Sequence, residues 1–89
     1  MSASVKLYTT PYCPYCIRAK QLLDHKQVVY TDIDVAGEPA LRSEMMELSG
    51  RRTVPQIWIG ETHVGGYDDL ALLEHQGRLD ELLQGAPGA

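Results

Sequence analysis

The sequence predicts an α/β domain: a four-stranded mixed sheet with helices on both faces, in the order β-α-β-α-β-β-α(-α). Three observations predict it. Short runs rich in β-branched and aromatic residues alternate with longer runs whose apolar residues recur every three or four positions. Proline or glycine stands at the joints between them. The last two strand-like runs flank Gly60-Glu61-Thr62, a hairpin signal that makes that pair antiparallel.

Val5 to Tyr8 is the first strand, closed by Thr9-Thr10-Pro11-Tyr12. Pro14 suits the first turn of a helix, where its missing N–H costs nothing. Tyr15, Cys16, Ala19, Leu22 and Leu23 then share one helical face opposite Arg18, Lys20 and Asp24, and this helix ends near His25. Val28 to Ile33 reads as the second strand, parallel to the first because a helix connects them. Pro39 opens a second helix with Leu41, Met45 and Leu48 on its inner face, and Gly50 stops it. Gln56 to Ile59 and His63 to Gly65 form the hairpin strands. Leu70 and Leu73 mark a helix from Asp68 that Gly77 interrupts, and Leu79, Leu82 and Leu83 mark a short last one. Gly85 to Ala89 should be frayed, which leaves residues 1–84 as a single domain.

A chain of 89 residues holds one modest core and, by expectation, one site. Eight Lys+Arg against twelve Asp+Glu give a net charge of −4, and no basic run occurs, which excludes a nucleic-acid backbone as partner. No segment approaches the roughly 20 apolar residues of a membrane span, and the start carries neither a long apolar stretch nor a charged leader. A soluble cytoplasmic protein acting as a monomer is expected.

The two cysteines lie together in Cys13-Pro14-Tyr15-Cys16, between the first strand and the first helix. A helix start presents unpaired N–H groups and the positive end of the helix dipole, which together favour a thiolate, the reactive form of cysteine. Two intervening residues let the second sulfur reach the first, so the pair can close and reopen a disulfide. A structural disulfide would close a longer loop. Structural zinc would need two further ligands, and His25, His63 and His75 lack the spacing. The histidines read as surface or satisfied residues. A C-x-x-C that opens the first helix of a β-α-β unit is the signature of a thioredoxin-like redox protein.

Beyond this motif, Leu7-Tyr8-Thr9, Arg18-Ala19-Lys20, Ser49-Gly50-Arg51, Thr53-Val54-Pro55-Gln56-Ile57 and Gly65-Gly66-Tyr67-Asp68-Asp69-Leu70 follow one another along nearly the whole chain. In this combination the sequence resembles the glutaredoxins, and most of all the small bacterial dithiol kind of the glutaredoxin 3 type. The resemblance implies a thioredoxin fold and a glutathione:disulfide oxidoreductase with Cys13 as nucleophile and Cys16 as resolving thiol, the two forming the redox-active disulfide. It implies a cis Pro55 facing the dithiol, with Thr53 and the backbone of Val54 exposed to the glutathione cysteinyl unit. Tyr15 would lie over the ligand sulfur; packing into the core is its alternative. Gly66, Tyr67 and Asp68 would take the γ-glutamyl end, with helix capping as the alternative for Asp68 and Asp69. Arg42 and Arg51 would meet the glycyl carboxylate; a solvated surface arginine is the alternative for each.

The resemblance further implies that glutathione is a reductant and not a resident cofactor, that no metal is held, and that the substrates are glutathionylated proteins and disulfide proteins such as ribonucleotide reductase. Two positions depart from the family pattern: Thr10 stands where many relatives carry a lysine, and Tyr67 where many carry a third cysteine. Two rival readings remain. One is a hydrogen donor recharged by thioredoxin reductase, against which Gly66-Tyr67-Asp68 and Arg42 speak. The other is an iron–sulfur carrier bridging two subunits through Cys13 and glutathione, against which Pro14 speaks.

Overall fold

A computed structural model describes residues 3–85. The chain runs β1 (Val5–Thr9), α1 (Pro14–His25), β2 (Thr31–Asp34), α2 (Pro39–Ser49), β3 (Gln56–Ile59), β4 (Thr62–Gly65), α3 (Tyr67–His75) and α4 (Leu79–Leu83). The strands form one sheet in the order β2-β1-β3-β4. β1 is parallel to β2 and antiparallel to β3, which pairs antiparallel with β4.

Because side chains alternate along a strand, each face of this sheet builds its own core. Val5, Leu7, Ile57 and Ile59 point to one side, where Ala19 and Leu23 of α1, Leu70 of α3, and Leu79 and Leu83 of α4 close over them. Tyr8 points to the other side, where Val35 and Met45 cover it and Leu41, Met46 and Trp58 pack alongside. Helices therefore flank both faces of a mixed four-stranded sheet, which is the thioredoxin fold. Leu7 and Leu23 are fully buried, and each contributes about 1.5–3 kcal/mol of apolar transfer. That contact seats α1 on the sheet and so fixes where its first residue, beside Cys13, emerges.

Pro14 and Pro39 occupy the first turns of α1 and α2 as the sequence predicts, and Gly50 ends α2 in the left-handed region at φ 71°. Two expectations are corrected. Val28 to Tyr30 lie outside β2, because Gln27 turns at φ 59° and the Val28 N–H is taken by the Leu23 carbonyl at 3.0 Å. Pairing begins only at Lys6 with Thr31, and Val29 is left 92% exposed. Leu48 is not core but 54% exposed, since α2 turns Leu41, Met45 and Met46 inward instead. Of the tail expected to fray, residues 86–89 lie outside the described residues, and the Gly85 N–H still bonds the Leu82 carbonyl at 3.0 Å. No helix among the described residues is long and apolar enough to cross a membrane.

Candidate active site

Cys13 is the N-cap of α1. Its extended backbone leaves the helix start open, and its Sγ accepts the Cys16 N–H at 3.4 Å, in the place where a serine or aspartate oxygen would ordinarily cap. Pro14 follows as the first helical residue, so one of the orphan N–H groups of the first turn does not exist. Cys13 is partly exposed, whereas Cys16 is fully buried one turn in, and both are free thiols. Burial pushes the Cys16 thiol up to about 11. At neutral pH Cys16 is therefore a protonated thiol out of solvent contact, and Cys13 is the sulfur a substrate can meet.

The wall opposite comes from the other half of the chain. The Val54–Pro55 peptide is cis, and the Val54 carbonyl accepts from the Cys13 thiol with Sγ and O 3.6 Å apart. A groove of about 320 Å³ adjoins this carbonyl, lined by Tyr15, Thr53, Val54, Pro55, Gly66, Tyr67 and Asp68. The Tyr15 and Tyr67 rings lie 6.5 Å apart at a 34° tilt. Tyr15 is half exposed and so is groove wall, not core.

Of the predicted contacts, Arg42 is the one the structure does not bring into this lining. Its Nη2 donates to the Arg52 carbonyl at 3.3 Å, beside Thr53. Arg51 does line the groove and pairs with Asp69 at 3.0 Å. The same Asp69 Oδ2 accepts the Gly66 N–H at 2.9 Å, so Asp69 caps α3 while Asp68 faces solvent. The Gly66-x-x-Asp69 spacing carries the cap signal, but nothing local announces Arg51, 18 residues away. Gly65 makes room for the pair: at φ 113°, a Cβ there would sit 2.3 Å from Asp69 Oδ2 and 2.9 Å from Arg51 Nη1.

The bond from the Gly66 N–H, reinforced by Arg51, holds the Asp69 carboxyl below the ordinary carboxylate value. A carboxyl whose folded value is depressed stabilises the fold above its unfolded value and loses that contribution as pH falls through the folded one. Asp69→Asn should therefore unfold more easily than the parent at pH 7, with the gap closing as pH falls below about 4. Denaturant titrations at several pH values check this; a gap that stays constant into acid would remove the charge from the argument.

Comparison with known proteins gives the site its context. A family model described as glutaredoxin matches residues 5–64. The chain is 61% identical over 79 residues to a glutaredoxin of Pseudomonas aeruginosa, covering 89% of this chain and 94% of that protein. It is 50% identical over 82 residues to glutaredoxin 3 of Escherichia coli, covering 92% and 99%. Among solved structures, the solution structure of glutaredoxin from Brucella melitensis superposes with a TM-score of 0.83 at 54% identity, over 93% of this chain and 90% of that one. A buckwheat glutaredoxin–glutathione complex superposes with a TM-score of 0.87 at 30% identity, over 94% and 79%. Identity of this degree along this much of the sequence decides the matter: the chain belongs to the glutaredoxin family and is a thiol–disulfide oxidoreductase.

Proposed function

We propose that the protein reduces glutathione mixed disulfides and protein disulfides through Cys13 and Cys16, with glutathione as reductant and no permanently bound cofactor. The observation that carries this reading is the groove lined by Thr53, Val54, Pro55 and the start of α3, next to the Val54 carbonyl that accepts from the Cys13 thiol. An extended tripeptide suits such a cleft: its thiol can lie at Cys13, its main chain can pair with Val54, and its γ-glutamyl carboxylate can meet the N–H groups of a helix start.

With a glutathionylated protein, the Cys13 thiolate attacks the glutathione sulfur. A Cys13–glutathione disulfide forms, the old disulfide breaks, and the protein thiolate leaves to take a proton. A second glutathione thiolate then attacks the glutathione sulfur on Cys13, releasing glutathione disulfide and restoring the Cys13 thiolate. With an intramolecular protein disulfide, Cys13 instead forms a mixed disulfide with the protein. Cys16 attacks it, the substrate leaves as a dithiol, and two glutathione molecules reduce the Cys13–Cys16 disulfide. Glutathionylated proteins and disulfide enzymes such as ribonucleotide reductase are the proposed partners, and the cytoplasm, whose glutathione pool is reducing, is the proposed compartment.

The test is a coupled assay on a glutathionylated peptide, run with glutathione plus glutathione reductase and separately with thioredoxin reductase. Turnover is expected in the first mixture; turnover in the second alone would sink the proposal. Asp68→Ala refines it. Asp69 already holds the cap, which leaves the exposed Asp68 carboxylate for the ligand's ammonium group. Loss of one charge-assisted contact of about 1.5–3 kcal/mol should raise the KM for glutathione about ten- to a hundred-fold at unchanged Tm. A melted variant with unchanged glutathione kinetics would return Asp68 to a purely structural role.

A further inference from the structure

Gln56 sits at the start of β3 on the sheet face it shares with Tyr8, Trp58 and Met45, and it is fully buried. An apolar side chain of similar size would be the simplest occupant of that place. The amide instead has its bonding groups engaged. Its Nε2 donates to the Thr53 carbonyl at 3.0 Å and to Thr53 Oγ1 at 3.2 Å, and its Oε1 pairs with His63 Nε2 at 2.8 Å. Because the amide nitrogen is committed to the Thr53 carbonyl, the oxygen faces His63, which must carry its proton on Nε2.

His63 stands opposite Trp58 in the β3–β4 ladder and stacks on it, with centroids 4.7 Å apart at 29°, so its donor direction is set by the indole. Burial first, then the nearby Arg51 charge, lowers its affinity for a second proton, against a weaker opposite pull from Asp69. The chain of bonds ends on Thr53, the residue before Val54 in the groove wall.

We propose that His63 and Gln56 are positioning residues: the relay from His63 through Gln56 to Thr53 holds the main chain of the Thr53–Val54–Pro55 wall in the orientation that binds the ligand thiol unit. Neither side chain lines the groove. This inference rests on the reading of the groove as the glutathione site. A buried amide whose donors serve one groove residue, and whose acceptor is oriented by a stacked ring, acts as a strut between the β4 edge and the wall facing Cys13. Without the His63 donor, Gln56 Oε1 is left buried and unpaired, and the amide gains by turning toward another donor, which releases Thr53.

Three full-length variants test it in the glutathione-coupled assay. His63→Phe keeps a ring on Trp58 but removes the N–H. The KM for glutathione should rise about three- to tenfold, as expected for one lost buried hydrogen bond, while kcat at saturating glutathione and the rate of Cys13 alkylation stay within about twofold. His63→Gln, which offers an amide N–H near the former Nε2, should bring the KM back toward the parent value. Gln56→Met fills the site without polar atoms and should match His63→Phe even where stability is preserved. The inference is overturned if folded His63→Phe keeps the parental KM, if the KM defects simply track Tm across the three, or if His63→Gln is as impaired as His63→Phe. If the parent itself shows no saturable dependence on glutathione, the groove reading falls first and this one with it.

Discussion

Cys13→Ser should abolish reduction of glutathionylated peptides and of protein disulfides alike. A serine hydroxyl is not ionised near neutral pH and cannot attack sulfur usefully, so the chemical step loses its nucleophile. The fold offers no substitute. The only other thiol, Cys16, is fully buried, and burial pushes it up to about 11, so at pH 7 it is a protonated thiol out of reach of an external disulfide. A loss of at least about a thousandfold in kcat/KM is expected, because no exposed thiol remains to attack the substrate sulfur. The variant should keep the parental Tm, since oxygen can accept the Cys16 N–H as the sulfur does. Alkylation gives a second reading: the parent should take up one equivalent of iodoacetamide quickly, the variant none. Activity above about a hundredth of the parent in a folded Cys13→Ser protein would point to a nucleophile other than the N-cap cysteine.

Cys16→Ser should divide the two reactions. Removal of a mixed glutathione disulfide ends when a free glutathione opens the Cys13–glutathione bond, a step in which Cys16 has no part. That turnover should persist, and it should rise where closure of the Cys13–Cys16 disulfide otherwise diverts the intermediate. Reduction of an intramolecular protein disulfide needs the neighbouring thiol to release the substrate, so it should slow by an order of magnitude or more, with a covalent complex through Cys13 visible on a non-reducing gel. The position of Cys16 makes it suited to this late role: it is shielded from outside disulfides, yet its N–H already lies 3.4 Å from the Cys13 sulfur it must reach. Loss of deglutathionylation in a folded Cys16→Ser protein with an alkylatable Cys13 would overturn this division.

What the sequence discloses about such a site depends on how local the determining physics is. Pro14, Pro39 and Gly50 are read correctly because a helix start or stop is decided within one turn. The dithiol and its helix are local in the same sense. The start of β2 is not, because it depends on which residues of β1 remain to pair and on the turn at Gln27. Leu48 has helical spacing, but which side of α2 turns inward is settled by Tyr8 and Trp58 on the sheet. Within the site, the cis Val54–Pro55 peptide and the Gly66–Asp68 wall follow the family pattern. Arg42 was expected at the ligand from that pattern; its Nη2 donates to the Arg52 carbonyl, beside the groove and outside its lining. Gln56 was least legible: an amide in a short strand suggests surface, and only the placement of Thr53 and His63 around it explains its complete burial.

The two outer strands of the sheet bear on how the molecule behaves in a crowd. A free strand edge is a template on which another chain can add itself. On β2 that edge carries Asp34 and the Asp32–Lys20 ion pair, so an incoming strand must settle against a carboxylate and a pair of charges. On β4 the ladder slips register beside Ile57 and Trp58, and Gly65 leaves the ordinary extended region, which bends the edge away from the flat geometry addition requires. The first defence is electrostatic and weakens as salt screens it; the second is a matter of shape and does not. Self-association by strand addition in concentrated salt solution should therefore begin at β2.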